Sequence, residues 1–384
     1  MVDLVERSSQ GWFSRIMDSI KGVLVGLVFV LGAFPLLFVN EGCAVRIAKG
    51  LGEGRSQVVT GASGQVNPGL EGKLVHMTGV ASSKNGVTDA VLGVAAPGAI
   101  RLERLVEMYQ WVEKTETKKE KKLGGSEETV KTNTWVKEWR DTEVSSSGFK
   151  LKEKDGEKLV NPPLPMKGGS VIANDVALGA HTLTAGLVSQ LSGGTPLVLD
   201  QSAIAKLPES IRGRARLHDG GIFVGDPAGP KIGDLRIKLL KTDAADVTVV
   251  AKQTGNALSA WETSQGTTIA MLERGTKTAD QMFSSAEAAN TARTWIVRLV
   301  GFLVMLMGFA LIFKPLSVVA DVVPFIGSLV GMGTGVVAFA LAAPLSLATI
   351  AVAWIVYRPI LGGALLVVGL GIFIALLVRS KKTA

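Results

Sequence analysis

The side chains that most often bind metals or act as nucleophiles are scarce in this chain. Its three histidines are His76, His181 and His218, and none has a second ligand at a spacing typical of a metal site. We interpret them as structural or surface histidines. The single cysteine, Cys43, has no second cysteine to pair with in the chain, so only a bridge between two chains is open to it.

Motifs of catalytic loops do not occur either. The chain has no GxSxG nucleophile elbow, no HExxH pair and no P-loop. Residues 331–335, GMGTG, are similar to part of a dinucleotide-binding loop, but they lie inside an apolar stretch without a preceding strand. We therefore expect no enzyme activity, no cofactor and no metal, and a membrane-linked hydrolase is the weakest alternative.

The apolar stretches of the chain are long enough to cross a membrane. As a helix, about 20 apolar residues span the hydrocarbon core. The region 291–378 is predicted to form three such helices, with an interfacial segment near 316–330 and one span at 331–356. The alternative is a protein with five spans, in which the chain breaks at Pro344. Charges within 295–378 are confined to Arg298, Lys314, Asp321 and Arg358.

A further span is predicted near the N-terminus. Residues 21–39 are apolar and follow an amphipathic segment, within 1–20, whose apolar face includes Trp12 and Phe13. We expect this segment to be a short interfacial helix. A cleaved signal peptide is the competing interpretation, but no small-residue cleavage site follows the span.

The charges that flank the spans indicate an orientation. Arg7, Arg15 and Lys21 precede the first span, and the basic tail 379–384 follows the last. With four spans, the positive-inside rule puts both termini in the cytoplasm and residues 40–290 on the opposite side, in a periplasm or a lumen. Arg358 then lies on the outer side, which counts against this orientation without reversing it.

The polar region 40–290 is rich in strand patterns. Alternation of polar and apolar residues predicts strands at 102–113 and 134–143, joined by a charged hairpin end at 114–133. Four aromatic residues are expected to cluster across these strands: Tyr109, Trp111, Trp135 and Trp139. The cluster is either a packed face of the sheet or an exposed surface for a protein partner.

The second half of this region repeats the pattern. Strands are expected at 235–239 and 246–253, paired with each other, and leucines at helical spacing predict a helix within 176–191. The likeness of the halves indicates two related β modules around a helical segment. Residues 278–294 predict a helix that leads directly into the next span. The predicted fold class is an α+β membrane protein with four transmembrane α-helices, one N-terminal and three C-terminal, and a large β-rich extramembrane domain.

Small and aromatic residues in the spans indicate how these helices pack and where they meet the headgroups. Glycines recur every four residues, which lets helices approach closely within one chain or between chains: Gly22, Gly26, Gly327, Gly331 and Gly335. Aromatic and basic residues near span ends are typical of the membrane interface: Trp12, Phe13, Trp295, Arg298, Trp354, Tyr357 and Arg358. No charge falls in the middle of a span, so a charge-lined ion pathway is not expected, although a polar or apolar pore stays open.

The formal net charge of +8 raises nucleic acid as a partner. Much of this charge lies at the flanks of the spans and in a lysine-rich loop, where anionic lipid or solvation explains it better. We expect membrane lipid and further copies of the chain as partners, with other membrane proteins as an additional option, and no nucleic acid.

Several short motifs occur together in a fixed order relative to the spans. They are Asn40-Glu41-Gly42, EGKLVHMTG (71–79), LVEMYQWVE (105–113), EWR (138–140), GDLR (233–236), VTVVAKQ (247–253) and YRP (357–359). In this order and spacing the chain resembles the transmembrane protein 43 family, also called LUMA, along nearly its whole length. MYQW is the most specific of the motifs. The alanine-rich and glycine-rich central region departs from the animal members and is typical of a bacterial relative.

The resemblance implies a four-span protein with both termini in the cytoplasm and a large domain across the membrane. Animal members are placed in the endoplasmic reticulum and inner nuclear membrane, where they self-associate and act as scaffolds with emerin and lamins. For a bacterial inner-membrane protein with a periplasmic domain, only self-association and scaffolding carry over. The sequence therefore predicts a homo-oligomeric membrane scaffold, with a channel or transporter component as the alternative.

Overall fold

The computed structural model describes residues 4–191, 193–360 and 362–364, which form three long helices and a β-rich domain. The helices are α1 (Trp12–Gln57), α2 (Ala185–Val188), α3 (Gln201–Ala205), α4 (Glu209–Arg212), α5 (Ala279–Ala320) and α6 (Pro324–Tyr357), with a 3-10 turn at Pro68–Leu70. The strands of the first half are β1 (Leu4–Gln10), β2 (Val59–Thr60), β3 (Leu74–Ser82), β4 (Val87–Asp89), β5 (Val94–Ala96), β6 (Arg101–Lys121), β7 (Glu127–Arg140), β8 (Glu153–Lys154), β9 (Glu157–Lys158) and β10 (Gly169–Ile172). Those of the second half are β11 (Ala177–Leu178), β12 (His181–Leu183), β13 (Thr195–Leu197), β14 (Ala215–His218), β15 (Gly221–Val224), β16 (Leu235–Thr242), β17 (Ala245–Thr254), β18 (Ala257–Ser259), β19 (Trp261–Glu262), β20 (Thr268–Ile269) and β21 (Met271–Arg274).

Three of the described helices, α1, α5 and α6, are long and apolar enough to cross a membrane. The predicted polar helix before the span at Trp295 is confirmed, because α5 begins at Ala279 and continues through that residue. Its start is fixed by a capping box, in which the Thr278 side chain accepts from the backbone of Gln281 and the Gln281 side chain accepts from the backbone of Thr278. The chain is thus an α+β integral membrane protein.

The boundaries of these helices bear on three features of the predicted spans. The short interfacial helix predicted near the N-terminus is not a separate element, because α1 runs without a break from Trp12 to Gln57. The segment 316–330 consists of the end of α5, a tight turn and the start of α6, and its place in the membrane interface stays a prediction. The single span predicted at 331–356 lies within α6, and the alternative break at Pro344 is wrong, because α6 continues through this residue, as membrane helices can when neighbours satisfy the freed backbone groups. Of the predicted last span, 360–378, all but 360 and 362–364 lies outside the described residues.

The long helices pack closely because glycines face each other. A Cβ atom on Gly26 of α1 would lie 2.6 Å from the carbonyl oxygen of Gly308 on α5. Larger side chains fill the bundle next to this crossing: Ala33, Leu37, Met305 and Ala342 are buried together. Gly26 therefore allows α1 and α5 of the same chain to pack closely.

Two antiparallel sheets form the β-rich domain. The first has the order β1-β7-β6-β16-β15-β14, with β10 on β6 and β13 on β16, and the second has the order β2-β3-β11-β12-β18-β17-β21, with β3 also paired to β17. Among the described strands, parallel pairing is confined to β2 with β3 and β12 with β18. Each sheet has its own apolar core. The strand predicted from alternation at 102–113 lies inside β6, and the one predicted at 134–143 coincides with β7 as far as Arg140, where β7 ends.

The strands β16 and β17 follow each other in the chain but do not pair, which corrects the predicted hairpin. β16 pairs with β6, so that Ile237 lies opposite Val106, whereas β17 pairs with β3, so that Thr248 lies opposite Thr78. Each sheet thus combines strands from both halves of the domain, and the halves are interleaved rather than separate modules. Alternation of polar and apolar residues identifies which face of a strand is buried, but it does not identify the strand that pairs with it.

The helix predicted within 176–191 is largely replaced by β11 and β12, followed by the short α2. Gly179 interrupts the helical pattern with a φ of +61°, in the left-handed region, at the turn between these strands. The leucines of the predicted stripe are buried in the core of the second sheet all the same: Leu178, Leu183, Leu187 and Leu191.

A three-stranded ribbon extends from the first sheet. Beyond the part of β6 that pairs with β16, the strands β6 and β7 continue as a hairpin to a turn at Gly124 and Gly125. β1 adds to this hairpin, from Leu4 opposite Asn133 to Gln10 opposite Glu127. The charged hairpin end predicted at 114–133 is therefore confirmed, and it binds the N-terminal strand.

Candidate functional site

A buried carboxylate joins the three long helices. Glu41 of α1 is 1 % exposed and accepts two hydrogen bonds from Arg298 of α5, at 2.6 Å from Nε and 2.8 Å from Nη2. The indole Nε1 of Trp354 on α6 donates a third, at 2.8 Å. Because a buried charge requires a partner, this two-pronged pair with its extra donor fixes the three helices relative to each other. We call Glu41, Arg298 and Trp354 the carboxylate cluster.

Aromatic rings enclose this cluster. The Arg298 guanidinium lies 4.6 Å from the ring centre of Trp295 and 5.7 Å from that of Trp354, within the range of cation–π attraction. Tyr357 covers the backbone of α1 at Gly42, where a Cβ atom would lie 2.6 Å from the ring. Gly42 is thus required for a close approach of α6 to α1.

The structure brings the 40–42 motif together with three residues predicted for the membrane interface. Glu41 contacts Arg298 and Trp354, and Gly42 contacts Tyr357. Asn40, next to Glu41, donates from Nδ2 to the carbonyl oxygen of Thr294 at 3.3 Å. No spacing in the sequence indicates these contacts, because the residues of α1 and α5 are more than 250 positions apart, as in the 257 positions between Glu41 and Arg298.

A cavity of about 360 Å³ lies beside the carboxylate cluster. It is bounded by α1, α5 and the C-terminal end of α6. The residues that line it are Glu41, Ala44, Ala48, Glu287, Asn290, Thr291, Thr294, Trp295, Arg298, Trp354 and Arg358. Apart from the alanines these are polar, charged or indole side chains, so the cavity suits a polar group rather than an acyl chain.

A second polar cluster closes the opposite end of the bundle. Asp321, in the turn between α5 and α6, is fully buried and pairs with Arg15 at 2.6 Å and with Lys121 of the hairpin at 2.7 Å. Arg15 also donates to the carbonyl oxygen of Gly125 and lies 3.4 Å from Glu127. We call these residues the tip cluster.

Two further residues complete the tip cluster. The Trp12 indole Nε1 donates to the carbonyl oxygen of Val318 at 2.9 Å, while the neighbouring Phe13 is exposed. A Cβ atom on Gly327 would overlap the carboxylate of Asp321. Gly327 therefore makes room for a buried charge within the chain.

The two polar clusters bracket the apolar part of the bundle. At 1.5 Å per residue, about 39 Å of helix axis separates Arg15 from Glu41. Exposed apolar side chains of α1 run from Phe13 to Val39. This length matches a hydrocarbon core of about 30 Å with part of each headgroup layer.

The four aromatic residues of β6 and β7 divide into two pairs. Trp111 and Trp135 are buried under a loop that brings Phe149 and Leu159 against them. Tyr109 and Trp139 lie opposite each other, half-buried, with ring centres 5.0 Å apart. The packed-face interpretation therefore holds for the first pair, and the second pair stays accessible.

Trp139 is the centre of a partly exposed aromatic group on the first sheet. Phe223 of β15, which is itself buried, meets it edge-on at 5.7 Å, and the Arg236 guanidinium lies 3.8 Å from its ring centre. An open groove of about 1020 Å³ borders Trp139 on one side. We call Tyr109, Trp139, Phe223 and Arg236 the aromatic surface.

The remaining glycines of the predicted packing set differ in their surroundings. Gly22 is in ordinary contact with Leu311, and Gly331 with Ser317. Gly335 is exposed, with no atom within 4 Å of an added Cβ among the described residues. Gly335 is thus available to a second helix, whereas the neighbours of Gly22 and Gly331 belong to the same chain.

The three histidines and the cysteine occupy unrelated places. The Nε2 atom of His76 is 2.9 Å from the Lys277 carbonyl oxygen, His181 is fully buried on β12, and His218 stacks edge-on with Phe223. Cys43 is half-buried and accepts from Arg46 at 3.4 Å. Within the described ranges no three histidine, cysteine or acidic side chains are grouped in a way that could hold a metal ion.

Comparison with known proteins shows relatives along almost the entire chain. A profile of the family described as Transmembrane protein 43 matches residues 108–359. The rat protein named Transmembrane protein 43 is 34% identical, with 91% of this chain and 88% of that protein covered. The human protein of the same name is 33% identical over 99% and 95%, and the homologue from Drosophila melanogaster is 28% identical over 90% and 91%. No solved structure matches.

Proposed function

The chain belongs to the transmembrane protein 43 family, and from this premise we propose that it is a membrane scaffold that self-associates through its β-rich domain. The observation that carries this proposal is the aromatic surface around Trp139. Tryptophan, tyrosine and arginine dominate the energetics of protein interfaces, and here they lie together on an outer sheet face. Trp139 is the residue on which most of the binding energy is expected to fall.

The occupant that we propose for this surface is a second copy of the chain. The groove beside Trp139 carries acidic and basic side chains in similar numbers, among them Glu107, Asp141, Arg140 and Lys238. A surface that carries both acidic and basic side chains can face a copy of itself about a twofold axis. A partner with charges of only one sign would leave about half of these side chains unpaired. Other membrane proteins that bind the assembled scaffold would then use further surfaces.

Crosslinking in native membranes tests this proposal. Trp139→Ala is expected to lower the yield of crosslinked dimer at least about tenfold, the loss typical of a hot-spot residue. Val80→Ala serves as the matched control, because Val80 is also exposed but lies on the second sheet. A wild-type chain that stays monomeric, or a Trp139→Ala variant that crosslinks as well as the control, would contradict the proposal.

For the topology we propose four spans in a bacterial inner membrane, the fourth at 360–378, with both termini in the cytoplasm and the β-rich domain in the periplasm. The basic residues before the apolar span at 22–39 and after 378 support this orientation through the positive-inside rule. The length between the two polar clusters supports a bilayer around 16–40. A protease that cleaves a C-terminal tag from outside intact spheroplasts would contradict it.

This topology conflicts with one contact in the structure. The hairpin belongs to the β-rich domain, yet its tip reaches Arg15 and Asp321 at the other end of the apolar bundle. A polar ribbon cannot lie in hydrocarbon, because its backbone and charges would lack partners there. In the proposed topology the tip must therefore leave Asp321 when the helices cross a bilayer.

The same ribbon favours one alternative function, a channel component. Strand backbone at membrane depth is tolerated where it lines a water-filled cavity, and several ribbons in an oligomer would form such a lining. The measurement is ion conductance after reconstitution, with Gly335→Leu to block the exposed helix face. A conductance that Gly335→Leu abolishes would support the channel function. If the wild-type protein shows no conductance, the channel function is excluded.

A further inference from the structure

The charged side chains that line the cavity beside the carboxylate cluster are not all paired. Two acidic side chains line it, but each is engaged: Glu41 with Arg298, and Glu287 with Arg55 at 3.1 Å. Arg298 is likewise engaged by Glu41. Arg358 remains, and within the described part of the chain its guanidinium takes part in no hydrogen bond or ion pair, although Glu41 acts on it at longer range.

Arg358 lies where α6 ends. It follows the last helical residue, Tyr357, and its backbone N–H donates to the Trp354 carbonyl oxygen at 2.7 Å, which fixes the backbone that carries the side chain. Thr291 of α5, an exposed residue, lines the same cavity. A free guanidinium and a hydroxyl donor in one cavity are a suitable pair for phosphate oxygens.

The position of the cavity along the bundle indicates the source of the phosphate. Below it, exposed apolar side chains cover α1 as far as Val39 and α5 from Trp295 onward. Above it, α1 and α5 continue as polar helices to the β-rich domain. The cavity therefore lies at headgroup level, where indole rings such as those of Trp295 and Trp354 are typical.

We propose that this cavity binds the phosphate of an anionic lipid headgroup, with Arg358 as its ion-pairing residue and Thr291 as a hydroxyl donor. The inference goes beyond the scaffold proposal, because it concerns a lipid site within one chain and does not depend on self-association. The carboxylate cluster is then the wall of the site, since it holds α1, α5 and α6 at the spacing that leaves the cavity open.

The test uses the full chain in detergent, with native mass spectrometry to count retained phosphatidylglycerol or phosphatidylcholine. We expect Arg358→Gln to lower the retention of phosphatidylglycerol about tenfold, the effect of losing one charge-assisted contact. Arg293→Gln is the matched control, because Arg293 is a neighbouring arginine on α5 that faces a different groove. Arg358→Lys should retain part of the affinity.

Three results of the lipid count would overturn the inference. They are unchanged retention in Arg358→Gln, an equal loss in Arg293→Gln, which would indicate diffuse surface charge, and equal retention of both lipids by the wild-type protein. Inorganic phosphate is the second arm of the experiment. Displacement of the lipid by millimolar inorganic phosphate would assign the site to free phosphate and contradict a lipid site. An unchanged unfolding temperature of Arg358→Gln confirms that folding is not the cause of a loss.

Discussion

Arg15 and Asp321 form an ion pair of 2.6 Å between residues 306 positions apart in the chain. Arg15 is the fourth residue of α1, and Asp321 is the first residue after α5. The pair ties the start of the first long helix to the turn between the other two. Lys121 adds the hairpin of the β-rich domain to the same carboxylate, at 2.7 Å.

Removing this carboxylate should release the hairpin tip. Asp321→Asn removes the closer anionic partner of the buried Arg15, which keeps Glu127 at 3.4 Å, and the partner of Lys121, so the cost is expected to reach up to about 3 kcal/mol. We expect the variant to be cleaved by trypsin after Lys121 or Lys122 many times faster than the wild-type protein in detergent. Asp18→Asn, at an exposed position on α1, should leave the cleavage rate unchanged. Equal rates for all three proteins would show that the tip is held by the strand pairing alone.

A disulfide across β1 and β7 should distinguish the tip-bound arrangement from the proposed topology. Ser8 lies opposite Thr129, so that Ser8→Cys with Thr129→Cys places two thiols within reach, in a Cys43→Ser background. We expect the bond to form in detergent and not in sealed membranes, where the N-terminus and the hairpin lie on opposite sides. The pair Thr117→Cys with Lys131→Cys is within the hairpin and should crosslink in both conditions. Crosslinking of the first pair in sealed membranes would contradict the topology and favour a water-filled path along the ribbon.

Acid should weaken one loop of the β-rich domain. A hydrogen bond from the Ser83 hydroxyl, together with backbone N–H donors of Asn85 and Lys84, holds the pKa of Asp175 below its ordinary value. Because the pKa is lower in the folded state, this stabilisation is present above the unfolded pKa of about 3.9 and is lost as pH falls through the folded value. Ser83→Ala is expected to raise the pKa of Asp175 and to lower the unfolding temperature near neutral pH more than in strong acid. In an Asp175→Asn background the pH dependence of this effect should disappear.

How far the sequence predicts this structure depends on the range of the interaction. Local patterns predict the hairpin of β6 and β7, the start of α5 and the burial of the leucines from Leu178 to Leu191. They do so because alternation, capping and apolar spacing act within one element. They were insufficient for the partner of β16 and for the contact of Glu41 with Arg298, which depend on which elements meet. Pro344 shows why a local signal leaves an alternative open: proline removes a helical hydrogen bond, yet α6 continues through it, as packing in a membrane helix allows.

The carboxylate cluster should be sensitive to the loss of one member and tolerant to the loss of both charges. Glu41→Gln leaves Arg298 without its anionic partner and is expected to destabilise the helix bundle by about 3 kcal/mol. Glu41→Leu combined with Arg298→Met replaces the pair by apolar side chains and should recover much of this loss. Thermal unfolding in detergent measures both variants. A double variant as unstable as Glu41→Gln would contradict the expectation that an unpaired Arg298 causes the loss.

The crossing of α1 and α5 offers a comparison of two glycines on one helix. At Gly26 an added Cβ would lie 2.6 Å from a backbone oxygen, which cannot move without separating the helices, whereas at Gly32 no atom of the described chain lies within 4 Å. Gly26→Ala is therefore expected to destabilise the bundle by about 1 to 3 kcal/mol, the usual effect of overpacking. Gly32→Ala should be neutral or stabilising by up to about 1 kcal/mol, because alanine has the higher helix propensity. The unfolding temperatures of the two variants in the same detergent provide the measurement, and equal values would mean that α1 and α5 do not cross at Gly26.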